Sequence, residues 1–435
     1  MPSQLPGKIT RLTKNLTLTQ WLIAAAILHL TTTIAVFLVG HFRLFPNTFD
    51  QDGIGISFAI DGATYRKVIL DMVGVLSSQG LSSWPTIAGP LHCRFYALPF
   101  YFLGPVLGYN IITAEALNLF YYVVVLILIY LLGKEVFSAR TGLIATIAIG
   151  LWPSFLLHST QLLRDSLSTA FVLALILLLT FVLKRKLSYR SVLWMSIVSL
   201  LLIILFWLAR GNIWNIVIIS LGIAGLLLAL RMIVERRLLF ANVLLFVVIF
   251  GAALFVPSRI ESTSLQGMKP PVAIFAISPE SRTYKNGFWT RLLTQVRARR
   301  EGFRVYTSTV SNLDSEVTFN STWDVIKYLP RATVIGFFAP FPRLWFEAGT
   351  VGRAGRLLAG SETLIMYLLY VPMVIGAWRN RSNLGMWLLL LVGSVSLIVL
   401  GLVVVNVGAL FRLRYAFWML LILIGVEGVR KEKIH

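Results

Sequence analysis

Three aspartates lie within one short stretch near the start of the chain: Asp50, Asp52 and Asp61 fall within twelve residues. The whole chain of 435 residues has only 18 acids, so this cluster is unusual. A further aspartate, Asp165, follows about a hundred residues later. A carboxylate that faces an acceptor hydroxyl can act as a general base, and a second acid can orient the base or the acceptor. We therefore predict that Asp61 and Asp165 are catalytic residues.

Arginines and polar residues in the same parts of the chain are candidates for substrate binding. Arginine binds phosphate through a planar fork, and nearby cations offset the negative charge that develops on a phosphate leaving group. The predicted phosphate-binding residues are Arg66, Arg94, Arg164, Arg343, Arg412 and Arg414. The predicted contacts to substrate or acceptor are Tyr65, Asp52, His92, Glu115, His158 and Gln161.

Simpler interpretations of these residues stay open. An acid in a loop is often a solvated residue or a helix N-cap, and Asp61-Gly62 can be a turn that begins a helix over 62–76. Arg412 and Arg414 can extend towards lipid headgroups. His29, within the first apolar run, is expected to be a packing residue. No zinc-ligand spacing, Walker loop or convincing Ser-His-Asp set is present in the sequence, so no metal ligand is assigned, although Mg²⁺ or Mn²⁺ stays open as a cofactor.

The composition indicates a membrane protein. The chain is 57% hydrophobic, with a mean hydropathy of +0.81, and a soluble protein of this kind would expose far too much apolar surface. Apolar runs of roughly 17 residues or more recur, and each is long enough to cross a bilayer as a helix. Because the backbone in lipid must bond to itself, we predict an all-α polytopic membrane protein with about ten, and up to twelve, transmembrane helices. The net charge of +21 does not predict nucleic-acid binding, because the cations lie between the apolar runs.

Ten predicted spans and the basic connectors between them give the topology. The spans lie at about 20–40, 115–132, 141–157, 166–183, 191–208, 213–230, 239–256, 361–378, 384–405 and 415–428. Placing every short basic connector in the cytoplasm satisfies the positive-inside rule, and both termini then lie inside. Two shorter apolar segments, 95–109 and 332–346, are interrupted by proline, which kinks helices. We predict that both are juxtamembrane or re-entrant helices on the outer face.

This topology divides the chain into four parts. They are a cytoplasmic tail (1–19), a transmembrane module (20–256) that includes the first outer loop (41–114), an outer loop or cap with a juxtamembrane helix (257–360), and C-terminal transmembrane helices with a short tail (361–435). The arginine cluster at 291–304 in the cap is expected to form a solvated or headgroup-facing helix surface. Cys93 is the single cysteine, which excludes an intramolecular disulfide. The first apolar run lacks a small-residue cleavage pattern and is predicted to be a retained span.

Several segments between residues 20 and 185 carry motifs. They are Asp61-Gly-Ala-Thr-Tyr65, Arg94-Phe-Tyr-Ala-Leu-Pro99, Leu131-Leu-Gly-Lys-Glu-Val-Phe137-Ser-Ala-Arg140-Thr-Gly142, Trp152-Pro153 and Leu163-Arg164-Asp165. Together they resemble the GT-C glycosyltransferases, in particular the branch with the protein mannosyltransferases and the lipid A aminoarabinose transferase. The first segment is similar to the family's outer-loop motif Asp-Glu-x-x-Tyr, with Gly62 in place of the glutamate. Beyond residue 185 the resemblance is only architectural.

The resemblance implies a function. It implies inverting transfer of a sugar from a polyprenyl-phosphate donor to a lipid, glycan or protein acceptor on the extracytoplasmic face, in a bacterial inner or plasma membrane. Asp61 would then be the base or align the acceptor, Asp165 would be its partner, and the arginines would bind the lipid phosphate. The proline-interrupted helices would line a groove open to membrane lipids.

Other functions are alternatives to this glycosyltransferase. A polymerase or ligase of surface polysaccharide, acting on polyprenyl-diphosphate-linked glycans, would also need outer cations and a lipid-facing groove. A lipid or sugar transporter would place polar residues near mid-membrane, whereas the acids of the predicted spans lie near their ends. A structural role would leave the clustered carboxylates unexplained.

Overall fold

The structure is a computed structural model, and it describes residues 16–46, 48–49, 55–56, 60–260, 288–305, 312–346 and 352–430. Asp52, a predicted substrate contact, lies outside these residues, and so does Asp50. Within the described residues the regular secondary structure is helical and no β-strand occurs. The prediction of an all-α membrane protein is therefore confirmed.

Sixteen α-helices occur within the described ranges, and we number them in chain order. They are α1 (Leu18–His41), α2 (Ile60–Gln79), α3 (Leu91–Leu107), α4 (Ile111–Val136), α5 (Ala139–Gly150), α6 (Pro153–Ser159), α7 (Asp165–Lys184), α8 (Tyr189–Arg210), α9 (Trp214–Glu235), α10 (Phe240–Arg259), α11 (Phe288–Val305), α12 (Thr322–Phe338), α13 (Gly352–Arg379), α14 (Leu384–Val403), α15 (Val407–Leu413) and α16 (Tyr415–Val429).

Eight of these helices are long and apolar enough to cross a membrane, and two bent pairs bring the number to ten. The eight are α1, α4, α7, α8, α9, α10, α13 and α14, and the pairs are α5 with α6 and α15 with α16. Each of the ten predicted spans coincides with one of them. The chain is therefore a multi-pass membrane protein.

The two bends were not predicted. The α5–α6 pair bends by 68° and the α15–α16 pair by 57°. In the first pair Pro153 begins α6, and a proline that lacks an N–H is tolerated at a helix start and disrupts a helix interior. In the second pair the break falls at Arg414. Just after the second bend, the hydroxyl of Tyr415 in α16 lies 3.1 Å from His158 Nδ1 in α6, which matters for the site.

The two proline-interrupted segments differ in how well their bounds were predicted. The segment 95–109 corresponds to α3. The segment 332–346 is not one helix, because α12 already begins at Thr322 and ends at Phe338, before a separate 3₁₀ turn at Pro342–Trp345. The early start follows from a capping box, in which Ser321 and Asp324 satisfy each other's backbone N–H groups. The prediction for this segment was therefore wrong in its bounds.

Basic connectors meet at one end of the bundle. Arg185 Nε donates to Glu135 Oε1 at 3.0 Å, which joins the α7–α8 connector to the end of α4. Asn383 Nδ2, just before α14, donates to the carbonyl of Val136 at 2.6 Å. The predicted domain division is not tested by these contacts, although the C-terminal helix α14 packs against α7, α9 and α12.

Glycines let α12 approach α14 at backbone distance. A Cβ added at Gly336 would lie 2.1 Å from the carbonyl oxygen of Leu397, and one added at Gly401 would lie 2.1 Å from that of Ala332. Small residues permit such close helix packing in membranes. Because no side chain fits there, the pair fixes α12 against the bundle.

We expect Gly401→Ala to lower the free energy of unfolding by about 1–3 kcal/mol, because the added methyl group forces the two backbones apart. Gly222→Ala on α9 is the matched control, since a Cβ there meets nothing within 4 Å and alanine favours a helix. Thermal unfolding in detergent measures both. Equal melting temperatures for the two variants would contradict the close packing.

Candidate active site

Arg412 connects the two predicted catalytic aspartates. Asp61 lies in the first turn of α2, a position that favours a negative charge near the helix N-terminus. Its Oδ2 accepts a hydrogen bond from Arg412 Nη2 at 2.7 Å. Nη1 of the same guanidinium donates to Asp165 Oδ2 at 3.3 Å. The structure therefore brings α2, α7 and α15 together at this point.

The two aspartates have different surroundings. The side chain of Asp61 is 50% exposed, whereas that of Asp165 is 9% exposed. Asp165 Oδ1 accepts a hydrogen bond from Arg210 Nη1 at 2.7 Å, so each of its oxygens is bound to a guanidinium. A buried charge requires partners of this kind. Asp61 is therefore the carboxylate that a substrate can approach.

Arg210 was not identified from the sequence. It is the last residue of α8 and is buried. A signal was present, because Arg210 lies at the outer end of a predicted span, where the positive-inside rule disfavours a cation. Arg412, in the outer turn between the last two predicted spans, shows the same anomaly.

Arg164, Tyr65 and His92 lie beside the carboxylates. Burial lowers the pKa of Arg164, but the neighbouring Tyr65, Asp61 and Asp165 outweigh burial and raise this pKa above its ordinary value. Burial raises the pKa of Tyr65 to about 12. Burial lowers the pKa of His92 well below its ordinary value, and Arg164 lowers it further. Tyr65 and His92 are therefore neutral near pH 7, and their rings pack edge to face at 4.5 Å.

The charges of the site do not cancel. Three guanidinium groups, those of Arg164, Arg210 and Arg412, accompany two carboxylates. Because His92 and Tyr65 are uncharged, these five charged groups carry one net positive charge. Such a site favours an anion, and the arginine fork matches the geometry of both phosphate and carboxylate.

Helix α6 positions the segment that carries Arg164 and Asp165. Ser154, near its start, donates its backbone N–H to Oε1 of the buried Glu362 at 2.6 Å, and its hydroxyl donates to Oε2. One turn further, His158 Nδ1 lies 2.7 Å from the carbonyl oxygen of Ser154 and 3.1 Å from the hydroxyl of Tyr415. Glu362 and Tyr415 thus attach α6 to α13 and α16.

His29 also holds α6, so it is more than the packing residue that the sequence indicated. Its Nδ1 lies 2.7 Å from Glu115 Oε1 and its Nε2 lies 3.0 Å from Ser159 Oγ. Glu115 Oε2 accepts a hydrogen bond from Thr33 at 2.7 Å. The order Ser-His-Glu is that of a hydrolase triad, but Ser159 is 2% exposed and His29 is 0% exposed, so no substrate reaches them. The network ties α1 and α4 to α6, and Glu115 lies within it.

Gln161 links the acidic first loop to the site. Its Oε1 accepts the backbone N–H of Ile56 at 2.9 Å. Gly55 has a φ of +111°, and a Cβ there would lie 1.8 Å from the same oxygen, so only glycine fits. The contact attaches Gly55 and Ile56 to the segment that precedes Asp165.

The structure brings Arg164 and Arg412 to the carboxylates and shows other contacts for two further predicted phosphate-binding arginines, Arg66 and Arg94. Arg66 Nε donates to the carbonyl of Tyr109 at 2.9 Å, and Arg94 Nη1 donates to that of Pro85 at 3.2 Å. Arg343 is exposed in the turn at Pro342–Trp345.

Arg414 contacts a different part of the bundle from Arg412. It is fully buried, and its guanidinium lies 3.8 Å from the ring centroid of Trp418. Its Nη1 donates to the carbonyl of Gly336 at 3.3 Å. A cation at the C-terminal end of a helix is favourable, so Arg414 stabilises the end of α12.

A family model of known proteins matches part of the chain that forms this site. Residues 119–325 match the family model of the oligosaccharyl transferase STT3, N-terminal. The match supports a GT-C glycosyltransferase. It covers Arg164, Asp165 and Arg210 but neither Asp61 nor Arg412, and it does not single out the mannosyltransferase or aminoarabinose transferase branch. Comparison with curated proteins and with solved structures gave no match.

Proposed function

We propose that this protein transfers a sugar or glycan from a polyprenyl-phosphate-linked donor to a lipid, glycan or protein acceptor, with inversion. The observation that carries the proposal is the Arg412 bridge, which joins a half-exposed carboxylate, Asp61, to a buried one, Asp165. The STT3 match supports a glycosyltransferase with a lipid-linked donor. The proposed location is the extracytoplasmic face of a bacterial inner or plasma membrane.

In the proposed reaction Asp61 is the general base. It takes the proton of the acceptor's nucleophilic O–H or N–H group as that atom forms a bond to the anomeric carbon of the sugar. The bond from this carbon to the phosphate oxygen breaks, and its electron pair stays on the leaving polyprenyl phosphate. Because the acceptor attacks from the face opposite the leaving group, the anomeric configuration inverts.

Arginines stabilise the leaving group in this proposal. The guanidinium groups of Arg164 and Arg412 supply positive charge where the phosphate gains negative charge, and such preorganised charge is often the largest catalytic term. Asp165 is a positioning residue, because both its oxygens are bound to Arg210 and Arg412. It holds these arginines and does not itself take the proton.

A glycan is the second candidate for the transferred group. The matched family is named as an oligosaccharyl transferase, which makes transfer of a preassembled glycan the alternative to transfer of one sugar. The polysaccharide polymerase or ligase alternative shares this chemistry and differs in its product. A transporter is the weakest candidate, since it would place polar residues near mid-membrane, whereas the acids of the predicted spans lie near their ends.

Gene deletion followed by mass spectrometry of surface and lipid-linked glycans tests the proposal. Deletion is expected to remove one sugar or one glycan from its acceptor and to increase the amount of the lipid-linked donor. Loss of a single sugar would identify a monosaccharide donor, and loss of a whole glycan would identify the second candidate. A change in glycan length alone would favour the polymerase, and unchanged glycans would contradict the proposal.

A further inference from the structure

The Arg412 guanidinium lies where a shared metal ion would have to lie. A divalent cation that serves two carboxylates is bound between them, in contact with an oxygen of each. Here the space between Asp61 Oδ2 and Asp165 Oδ2 holds Nη2 and Nη1 of Arg412, at 2.7 and 3.3 Å from those oxygens. The cation that joins the two acids in this chain is a side chain.

Among the residues that the structure describes, the other groups near the two aspartates do not fit Mg²⁺ or Mn²⁺. Mg²⁺ prefers six oxygen ligands in near-octahedral geometry. Within the described residues no group of three or more His, Cys, Asp or Glu side chains is placed to hold a metal. Both oxygens of Asp165 are bound to arginine. A dication would also meet the positive charges of Arg164 and Arg210.

We propose that Arg412 takes the place of a divalent cation, so that transfer proceeds without a bound metal. The inference rests on the proposed function and extends it to the source of positive charge. Arg412 keeps Asp61 oriented towards the acceptor, and together with Arg164 it faces the leaving phosphate. An arginine is always charged, so this charge stays with the protein when product leaves.

Manganese binding tests the inference without any assay of activity. The purified full-length protein is titrated with MnCl₂, and free Mn²⁺ is followed by electron paramagnetic resonance. The series compares the wild type with Asp61→Asn, Asp52→Asn and Asp71→Asn. Asp71 is exposed on the same helix as Asp61 and controls for nonspecific binding.

The expected result is equal Mn²⁺ binding by the wild type and all three variants. Stoichiometric binding that is lost in Asp61→Asn or Asp52→Asn but kept in Asp71→Asn would overturn the inference. In parallel, transfer is measured after EDTA treatment and after adding back Mg²⁺ or Mn²⁺. A change within twofold is expected, and a tenfold loss that either metal restores would overturn the inference.

The two proposals fail in different ways. If the protein transfers nothing under any condition, the proposed function fails, and the Mn²⁺ titration still decides whether a metal ion binds at Asp61 or Asp52. If transfer occurs but requires metal, the function stands and the inference about Arg412 fails.

Discussion

Asp61→Asn is expected to lower the rate of transfer by about 10²–10⁴-fold, the usual contribution of a general base. The amide keeps the shape of the side chain but cannot accept the proton of the acceptor. Stability should change little, since the pair with Arg412 has a half-exposed carboxylate and such pairs contribute about 0–1 kcal/mol. The rate is measured in membranes that contain equal amounts of each protein.

Asp71→Asn is the matched control for this prediction. Asp71 lies on the same helix, is exposed and is outside the site, so its substitution should leave the rate within twofold of the wild type. Thermal unfolding of both variants shows whether the fold is kept. If Asp61→Asn transferred at the wild-type rate, Asp61 would be neither the base nor an essential ligand of the acceptor.

Arg210→Ala is expected to cause the largest loss of stability. It removes the 2.7 Å partner of Asp165, whose side chain is 9% exposed. Breaking a buried ion pair from one side typically costs about 3–5 kcal/mol, because a buried charge is left uncompensated. Arg412 still contacts the other oxygen of Asp165, at 3.3 Å, so we expect a value near the lower end of that range.

Two further variants test whether the uncompensated charge causes the loss of stability in Arg210→Ala. Arg185→Ala breaks an ion pair with Glu135 in which the arginine side chain is 52% exposed, and it should cost only about 0–1 kcal/mol. Arg210→Met combined with Asp165→Asn removes both charges and should recover much of the stability, as replacement of buried pairs by neutral residues often does. Thermal unfolding in detergent measures all three. A double variant as unstable as Arg210→Ala would show that packing, and not charge, holds this part of the bundle.

Much of the fold was predictable from the sequence because few backbone structures are stable in lipid. Apolar runs must be helical to satisfy their own backbone, and all ten predicted spans coincide with a helix or a bent pair. The bends at Trp152 and Arg414 were not predicted, because hydropathy depends on composition and is insensitive to a change of direction. The start of α12 was missed for a related reason: its first turns are polar, and the capping box at Ser321 outweighs their low hydropathy.

The site was predictable in its parts but not in its assembly. Asp61, Asp165 and Arg412 were each named for their chemistry, yet their contacts join residues more than a hundred positions apart, and no local pattern encodes them. Two residues of the site were not named from the sequence. Arg210 is a cation just past the end of a predicted span, and Glu362 is an acid near the start of another. Both are buried with partners, and burial follows from how the helices pack.

One reconstitution tests the central claim most directly. Lipids extracted from the deletion strain, which should contain the unused donor, are mixed with acceptor-containing membranes and purified protein in liposomes. Mass spectrometry then follows the lipid-linked glycan and the free polyprenyl phosphate or diphosphate. We predict that the wild type consumes the donor and releases the lipid carrier, while Asp61→Asn leaves the donor intact. Donor that persists with the wild type, or is consumed equally by Asp61→Asn, would contradict a glycosyltransferase that acts through Asp61.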